Sequence, residues 1–224
     1  MAWASTTNLN VFLVITSLIF PRGAGWYRLR PMQAMETEVK IRVADRDALE
    51  QKLASLAFTR VTARTLERNT LYDTPDRKLR NSRQILRIRQ YGSKWVVTHK
   101  SVPSGVSEEG PHKNRVETET LVDEGPVLGK VFEALGFSPV FVYEKWRTEW
   151  ADREGHCVLD ETPLGVYAEL EGPSEWIDAT AGKLGISESQ FITLSYGRIF
   201  ELWRDETGSV ATNFTFEEIP ESFR

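Results

Sequence analysis

The stretch Met35-Glu36-Thr37-Glu38-Val39-Lys40-Ile41-Arg42-Val43 alternates charged and uncharged side chains after its first residue. Successive side chains of a β-strand point to opposite faces, so the charged ones would share one face and the uncharged ones the other. An antiparallel strand with its charged face in water accounts for such a pattern when it occurs alone. A more specific arrangement would require the same pattern in other strands, with complementary charges.

The composition is that of a globular protein, with 224 residues, 41% hydrophobic content and 27% charged content. The net charge of −4 gives no reason to expect nucleic acid or an anionic membrane as a partner. The single cysteine, Cys157, excludes an internal disulfide framework, and the three histidines form no zinc-binding pattern with it. Oxygen atoms are therefore the expected ligands of any metal ion.

Residues 1–34 form an N-terminal extension that differs from the rest of the chain. An apolar run over 9–20 is too short to span a bilayer. A secretory signal is disfavoured because no Lys or Arg precedes the run and no clear cleavage site follows it. Met32 and Met35 stand directly before the first strand, so we favour a mis-assigned translation start over a signal or membrane anchor. We expect the extension to be dispensable and the protein to be cytoplasmic.

Charge on one face recurs in most other segments that alternate as strands do. Arg87 and Arg89 share a face of 85–91, and a turn at 92–93 leads into 94–100, which ends at Lys100. Four further strands are predicted at 115–119, 137–150, 156–160 and 166–171. Their alternating charges are Arg115, Glu117 and Glu119; Lys145, Arg147 and Glu149; Asp160; and Glu169 and Glu171. An eighth strand is predicted over 58–72, where Thr, Val and Arg are frequent.

Four helices are predicted from apolar spacing and end signals. They cover 46–57, with Asp45 as N-cap; 126–135, ending at Gly136; 174–184, capped by Ser174; and 193–203. Residues 205–224 are polar and acidic without a clear period, which predicts a weakly ordered tail.

Eight strands joined mostly by hairpins predict an α+β fold, in which an antiparallel β-barrel without free edges has helices packed outside it. If the charged faces point inward, the barrel is a polar tunnel in which intermixed acids and bases compensate each other. In the alternative, the charges lie in water and apolar side chains fill the barrel. Strand periodicity alone does not decide between the two.

The inward arrangement has a definite chemistry. Carboxylates at alternate positions of neighbouring strands supply oxygen ligands for Mg²⁺ or Mn²⁺, and arginines and lysines bind phosphate oxygens. The sequence has no phosphate-binding glycine loop and no recognisable serine or cysteine nucleophile motif. The expected ligand is a metal-bound polyphosphate, and catalysis would rest on metal and charge stabilisation.

A series of short motifs resembles, in order, the CYTH domain. The motifs are Glu36-x-Glu38-x-Lys40, Leu86-Arg87-Ile88-Arg89, Thr98-x-Lys100, Arg115-x-Glu117-x-Glu119, Lys145-x-Arg147, Asp160 and Glu169-x-Glu171. This family, also called triphosphate tunnel metalloenzymes, includes class IV adenylate cyclases, thiamine triphosphatases and inorganic tripolyphosphatases. The resemblance covers residues 35–204, and it is strongest to the class IV cyclase-like branch.

The resemblance implies a role for each group of tunnel residues. Divalent metal, Mg²⁺ or Mn²⁺, would be held by Glu36, Glu38, Asp160, Glu169 and Glu171. The triphosphate would be bound by Lys40, Arg87, Arg89, Lys100, Arg115, Lys145 and Arg147, of which Lys40, Arg87 and Arg89 would also be catalytic. Glu117 and Glu119 would support the basic residues. The family often has an acidic residue where this chain has Asn69, which leaves the contribution of that strand open.

The implied activity is that of a phosphorus–oxygen lyase converting ATP to cyclic AMP and pyrophosphate, or of a triphosphate hydrolase. The substrate would be a small-molecule triphosphate: ATP, tripolyphosphate or thiamine triphosphate. A non-catalytic polyphosphate-binding module is a further alternative. Neither nucleic acid nor a membrane is an expected partner, unless residues 1–34 are a true anchor, and a homodimer stays open.

Overall fold

The computed structural model describes residues 33–105 and 110–223. Its strands are β1 (Gln33–Val43), β2 (Thr59–Asp73), β3 (Ile85–Tyr91), β4 (Lys94–Ser101), β5 (Lys113–Val122), β6 (Ser138–Ala151), β7 (His156–Thr162) and β8 (Gly165–Glu171). Its helices are α1 (Arg46–Ser55), α2 (Lys78–Asn81), α3 (Gly125–Ala134), α4 (Ser174–Leu184) and α5 (Tyr196–Thr207). The strands form a closed antiparallel barrel in the order β1-β5-β4-β3-β2-β6-β7-β8, which confirms the predicted fold.

The first strand begins two residues earlier than its charge pattern predicts. Gln33 pairs with Thr118 and Ala34 with Glu117, so the ladder between β1 and β5 already exists before Met35. The other expectations for the N-terminal extension concern residues 1–32, which lie outside the described residues. Within the described part of the chain, no helix is both long and apolar enough to cross a membrane.

The apolar face of β1 points outward and not into the barrel. Val39 and Ile41 are buried in a hydrophobic core that also contains Leu53 of α1 and Ile177 of α4. Since neighbouring side chains of a strand lie on opposite faces, Glu38 and Lys40 point inward, and both are buried. The alternative in which apolar side chains fill the barrel is therefore wrong.

The register of the strands places acids opposite bases. Lys40 pairs with Glu169 between β1 and β8, and Arg147 pairs with Asp160 between β6 and β7. Residues directly opposite each other have their Cβ atoms about 4.5–5.5 Å apart, close enough for oppositely charged side chains to interact. At these two positions the charge of one strand is matched by the opposite charge on its neighbour.

Two segments after β8 form backbone hydrogen bonds with parts of β1 and β6 that, in the described part of the chain, have no neighbouring strand on one side. Lys40 donates its backbone N–H to the carbonyl of Ile192 (3.2 Å) and accepts the N–H of Ile192 (2.8 Å), beyond the end of the β5 ladder. Likewise the N–H of Phe214 bonds to the carbonyl of Val142 (2.9 Å) and its carbonyl accepts the N–H of Glu144 (3.0 Å). Both contacts satisfy backbone groups that would otherwise lie unpaired at a splayed edge.

The C-terminal residues pack against one end of the barrel. Phe214 and Ile219 are fully buried in a second hydrophobic core with Phe200 of α5 and Leu164. The prediction of a weakly ordered tail is wrong for residues 205–223, because 205–207 belong to α5 and the segment after it is a packed structural part. Its contacts are made in irregular backbone, so no helical or strand period marks them in the sequence.

Helix ends show one confirmation and one correction. The Asp45 side chain caps α1 as predicted, accepting the backbone N–H of Ala48 at 3.0 Å. In contrast, Ser174 is the first helical residue of α4, and Pro173 occupies the cap position without a side-chain bond. The short helix α2 was not predicted, and its Leu79 N–H bonds to the carboxylate of Asp73 (2.9 Å).

The packed C-terminal segment generates a first prediction. Phe214→Ala should lower the free energy of unfolding by about 3–5 kcal/mol, because it removes a fully buried aromatic ring. Val210→Ala is the matched control in the same segment, since Val210 is 94% exposed and should change stability by less than about 0.5 kcal/mol. Urea unfolding of both variants measures this, and equal midpoints would mean that the segment does not pack in solution.

Candidate active site

Three carboxylates meet at one place inside the barrel. Oxygen atoms of Glu36, Glu38 and Glu171 all lie within 4.8 Å of one another. Glu36 and Glu38 come from alternate positions of β1, and Glu171 lies directly across from Glu38 on β8. Carboxylate oxygens on one wall are the ligand type that Mg²⁺ and Mn²⁺ prefer.

Two lysines contact this acidic group from the side. Lys100 Nζ lies 2.5 Å from Glu36 Oε2, and Lys113 forms an ion pair with Glu38 Oε1. Burial alone would raise the pKa of Glu38, but the charges of Lys113, Lys40 and Lys100 together outweigh it and lower the pKa to about 2. Glu38 is therefore ionised at neutral pH, and within the part of the chain that the structure describes each of the two acids pairs one of its oxygens with a lysine.

Another acid, Asp160 of β7, is surrounded by hydrogen-bond donors. Arg147 binds it with two parallel bonds, Nε to Oδ1 and Nη2 to Oδ2, both at 2.7 Å. Lys145 Nζ and the Tyr196 hydroxyl donate to the same Oδ2 at 2.7 and 2.8 Å. Asp160 is fully buried, so this arrangement leaves neither of its oxygens without a partner.

Glu169 links Arg147 to a further base, Lys40. Its Oε1 lies 2.7 Å from Lys40 Nζ, and its Oε2 lies 2.6 Å from Arg147 Nη2. Burial favours the neutral form of the lysine, yet the facing carboxylates of Glu169 and Glu38 raise the pKa of Lys40. By the same pairing, and against the effect of burial, the pKa of Glu169 lies well below its usual value. Both groups are therefore charged across the neutral pH range.

Arg87 and Arg89 of β3 have looser acidic contacts. Arg87 donates to the hydroxyls of Tyr143 (2.9 Å) and Thr98 (3.1 Å), and its nearest carboxylates, Glu117 and Glu119, lie at 3.8 and 3.9 Å. Arg89 lies 3.8 Å from a carboxylate on β2 and 4.0 Å from Glu119. The two guanidinium groups are thus held in the tunnel mainly by neutral or distant partners.

Glu67 of β2 is a tunnel residue that the sequence reasoning missed. It is fully buried, with Lys145, Arg147 and Arg89 at 3.6, 3.7 and 3.8 Å, and Asn69 donates to its Oε1 at 2.9 Å. Burial would raise its pKa, but these cations lower it instead. Its position could have been inferred from the sequence, because Glu67 stands two residues before Asn69 and so shares the same face of the strand.

Four buried polar atoms in this region have no hydrogen-bond partner among the described residues: Glu67 Oε2, Asn69 Oδ1, Arg87 Nε and Arg89 Nε. Buried polar groups are rarely left unpaired unless water or a ligand serves them. The unused donors on both arginines indicate a place where an anionic ligand would find partners.

The structure brings together most of the residues predicted from sequence. Lys100 lies 3.4 Å from Glu117, and Thr98 donates to Glu119 at 3.0 Å, so both supporting acids touch the basic wall. Arg115 lies directly across from Glu36 in the ladder, and its Nη1 donates to the carbonyl of Asn114. Arg42 is exposed at the end of β1, apart from the buried charges, and donates to the carbonyl of Leu164.

Comparisons with known proteins agree with this architecture. The model of the CYTH domain matches residues 34–188, which is more than half of the chain. Adenylate cyclase CyaB of Aeromonas hydrophila is 26% identical over 180 residues, covering 74% of this chain and 88% of that protein. The cyclase name belongs to that relative.

Two solved structures, each described as a "putative" cyclase, share the fold. One, from Vibrio parahaemolyticus, has a TM-score of 0.66 at 20% identity and covers 75% of this chain and 98% of its own. The other, HpAC1 from Hippeastrum, is described as having a dominant triphosphatase activity. It has a TM-score of 0.56 at 19% identity and covers 75% of this chain and 96% of its own. At such identities the likeness shows the fold alone.

The position of Glu67 generates a second prediction. Glu67→Gln keeps the side-chain shape but leaves three buried cations without their shared counter-charge, which should cost about 3–5 kcal/mol of unfolding free energy at pH 7. Chemical denaturation measures the loss. Glu217→Gln is the control, because Glu217 is exposed and its neutralisation should change stability by less than about 0.5 kcal/mol.

The pH dependence of stability distinguishes this charge effect from a packing effect. A carboxyl whose folded pKa is depressed stabilises the protein above its unfolded pKa, near 4.5, and that contribution is lost as the pH falls through the folded pKa. Wild-type stability should therefore fall below pH 4.5, and Glu67→Gln should show a shallower fall. A parallel pH profile in the variant would contradict the assigned role of Glu67.

Proposed function

Because the chain belongs to the CYTH domain family, we propose that it is a divalent-metal-dependent enzyme that cleaves a triphosphate substrate inside its charged barrel. The observation that carries this proposal is the meeting of the three-carboxylate group with a wall of buried bases. A metal ion and a polyanion need these two kinds of surface side by side. Clustered acids also argue against a binding module without turnover, since such a module would need only the bases.

The acidic group fits Mg²⁺ or Mn²⁺. Glu36, Glu38 and Glu171 would supply carboxylate oxygens, and in Glu36 and Glu38 one oxygen remains beyond the one paired with a lysine. A bound divalent ion supplies charge neutralisation of the phosphate oxygens and activation of the attacking hydroxyl or water. The depressed pKa of Glu38 keeps this ligand ionised at any pH at which the enzyme would work.

We assign Asp160 and Glu169 to the positioning of bases and not to metal binding. Their oxygens are occupied at 2.6–2.8 Å by Lys40, Lys145, Arg147 and the Tyr196 hydroxyl. A metal ion there would have to displace several short charge-assisted bonds in a buried place, where unpaired cations are costly. This revises the five-residue metal set implied by the sequence resemblance.

The basic residues would bind the phosphate chain. Among the described residues, the Nε donors of Arg87 and Arg89 have no hydrogen-bond partner and the carboxylates lie at 3.8–4.0 Å, so their planar forks are available to phosphate oxygens. Lys40, Lys100, Arg115, Lys145 and Arg147 would complete the positive wall. Fixed donors aimed at a developing charge need no reorganisation during the reaction, which is the main catalytic effect expected of such a site.

The reaction we favour is that of a class IV adenylate cyclase, in line with the relative CyaB. The ribose 3′-hydroxyl of ATP would attack the α-phosphorus, and pyrophosphate would leave. The alternative is hydrolysis, with water attacking the terminal phosphorus of tripolyphosphate or thiamine triphosphate, and the triphosphatase activity attributed to HpAC1 favours testing it. Both reactions require the same metal and the same basic wall.

The deciding experiment is product analysis with purified protein and Mg²⁺ or Mn²⁺. ATP, tripolyphosphate and thiamine triphosphate are supplied separately, and cyclic AMP, pyrophosphate and phosphate are quantified. Cyclic AMP with equimolar pyrophosphate supports the cyclase, and phosphate release supports the hydrolase. Tight binding of all three without any product would leave only the binding module, and no binding would overturn the proposal.

The proposed metal group generates a third prediction. Glu38→Gln should weaken Mn²⁺ binding by at least about tenfold and lower turnover by a similar factor, because it removes a charged ligand without changing shape. Calorimetric titration of Mn²⁺ and the product assay measure the two effects. The control is Glu161→Gln, a β7 carboxylate that pairs with Arg64 and Arg46 at the surface. Unchanged Mn²⁺ affinity in Glu38→Gln would remove Glu38 from the ligand set.

Arg89 generates a fourth prediction. Arg89→Lys keeps the charge but loses the planar fork, and each charge-assisted bond lost is worth about 1.5–3 kcal/mol, so turnover should fall by about tenfold or more. The thermal midpoint should move little, because lysine keeps the positive charge that faces Glu67. Arg68→Lys, which alters a half-exposed ion pair with Glu144 on the same sheet, is the control. Intact turnover with a lowered midpoint would make Arg89 a structural residue instead.

A further inference from the structure

Tyr196, the first residue of α5, reaches into the charged interior of the barrel. Its hydroxyl donates to Asp160 Oδ2 at 2.8 Å. The ammonium groups of Lys40 and Lys145 lie over its ring, at 4.3 and 4.9 Å from the centroid. One side chain therefore contacts the acid that holds Arg147 and two of the lysines proposed to bind phosphate.

The fold holds this ring firmly. The Ser195 hydroxyl accepts the N–H of Arg198 at 3.2 Å and so fixes the start of α5. The ring then packs between Tyr143, Tyr167 and Phe214, with centroid separations of 6.4, 5.7 and 6.2 Å. Tyr196 also lies beyond residue 188, where the match to the family model ends.

We propose that Tyr196 is a positioning residue of the active site, which orients Lys40 and Lys145 toward the phosphate chain. The inference rests on the proposed function, since it concerns how the same basic wall is held. Through it, the C-terminal helix becomes part of the site.

The chemistry of the contacts supports this role. A lysine ammonium is a compact charge on a flexible stem, so it needs several partners to keep one orientation. Lys40 contacts Glu169 and the Tyr196 ring, whereas Lys145 contacts Asp160 and the same ring. An aromatic face attracts a cation without neutralising it, which leaves the ammonium able to bind a phosphate oxygen.

The hydroxyl adds a separate contribution. Burial and the neighbouring Asp160 raise the pKa of Tyr196 well above its usual value, so the phenol stays protonated and acts as a donor. It shares Asp160 Oδ2 with Lys145 and Arg147, and thereby fixes the carboxylate that orients both. Removing the hydroxyl and removing the ring should consequently have different effects.

The test uses the full chain and inorganic tripolyphosphate, titrated calorimetrically in the presence of EDTA so that metal does not contribute. Tyr196→Leu should raise the Kd about tenfold, because both cation–π contacts and the hydrogen bond are lost. Tyr196→Phe keeps the ring over the lysines and should raise the Kd only about threefold. Phe200→Leu is the matched control, since Phe200 is buried in the same aromatic cluster through Phe214 and Phe141.

The inference is supported if the Kd rises from wild type to Tyr196→Phe and again to Tyr196→Leu, while the Kd of Phe200→Leu is unchanged. This holds even if the thermal midpoints of Tyr196→Leu and Phe200→Leu fall equally. Equal Kd values in wild type and both Tyr196 variants would overturn it while leaving the proposed function intact. If Tyr196→Leu does not fold, Tyr196→Phe decides by the same Kd. If wild-type binding requires Mg²⁺, the same Kd values are compared with Mg²⁺ in place of EDTA. If wild-type protein does not bind tripolyphosphate under either condition, the proposed function itself fails.

Discussion

The structure depends on the compensation of buried charge inside the barrel. Asp160, Glu67, Lys40 and Lys145 are almost entirely removed from water, and each of these ions alone would be strongly disfavoured there. Contacts between opposite charges compensate this cost. Arg147, for example, lies 2.7 Å from Asp160 and 2.6 Å from Glu169. Replacing one of these charged residues would leave the buried charges of its partners uncompensated. The strands of the tunnel must therefore carry complementary charges.

The rest of the fold follows from this constraint. Because polar groups occupy much of the inner surface of the barrel, the hydrophobic cores lie elsewhere. One lies between the sheet and helices α1 and α4, and the other lies under α5. Closure of the barrel also removes exposed strand edges, and Ile192 and Phe214 pair with the two splayed stretches at Lys40 and Tyr143. The C-terminal chain therefore stabilises the barrel and delivers Tyr196 to its interior.

The sequence predicted the barrel because its charges recur every second residue, which specifies the face on which a side chain lies. It did not predict which charges touch, since that depends on strand register and on side-chain reach across the tunnel. The family resemblance grouped Asp160 and Glu169 with the three clustered carboxylates as metal ligands, and the structure surrounds these two acids with cations. Glu67 was missed because its strand face carries no run of charges, and Phe214 was missed because irregular backbone has no period.

The distances within the tunnel divide its bases into two groups. Lys145 and Arg147 bind Asp160 at 2.7 Å and are held by carboxylates of the protein itself. Among the described residues, Arg87 and Arg89 meet carboxylates only at 3.8–4.0 Å, and their Nε atoms have no hydrogen-bond partner. A buried guanidinium gains most from a new charge-assisted bond when it gives up the least to make it. The loosely held arginines of β3 are therefore the side chains best placed to exchange protein contacts for phosphate oxygens, whereas Lys145 and Arg147 would add to the positive wall while they stay bound to Asp160.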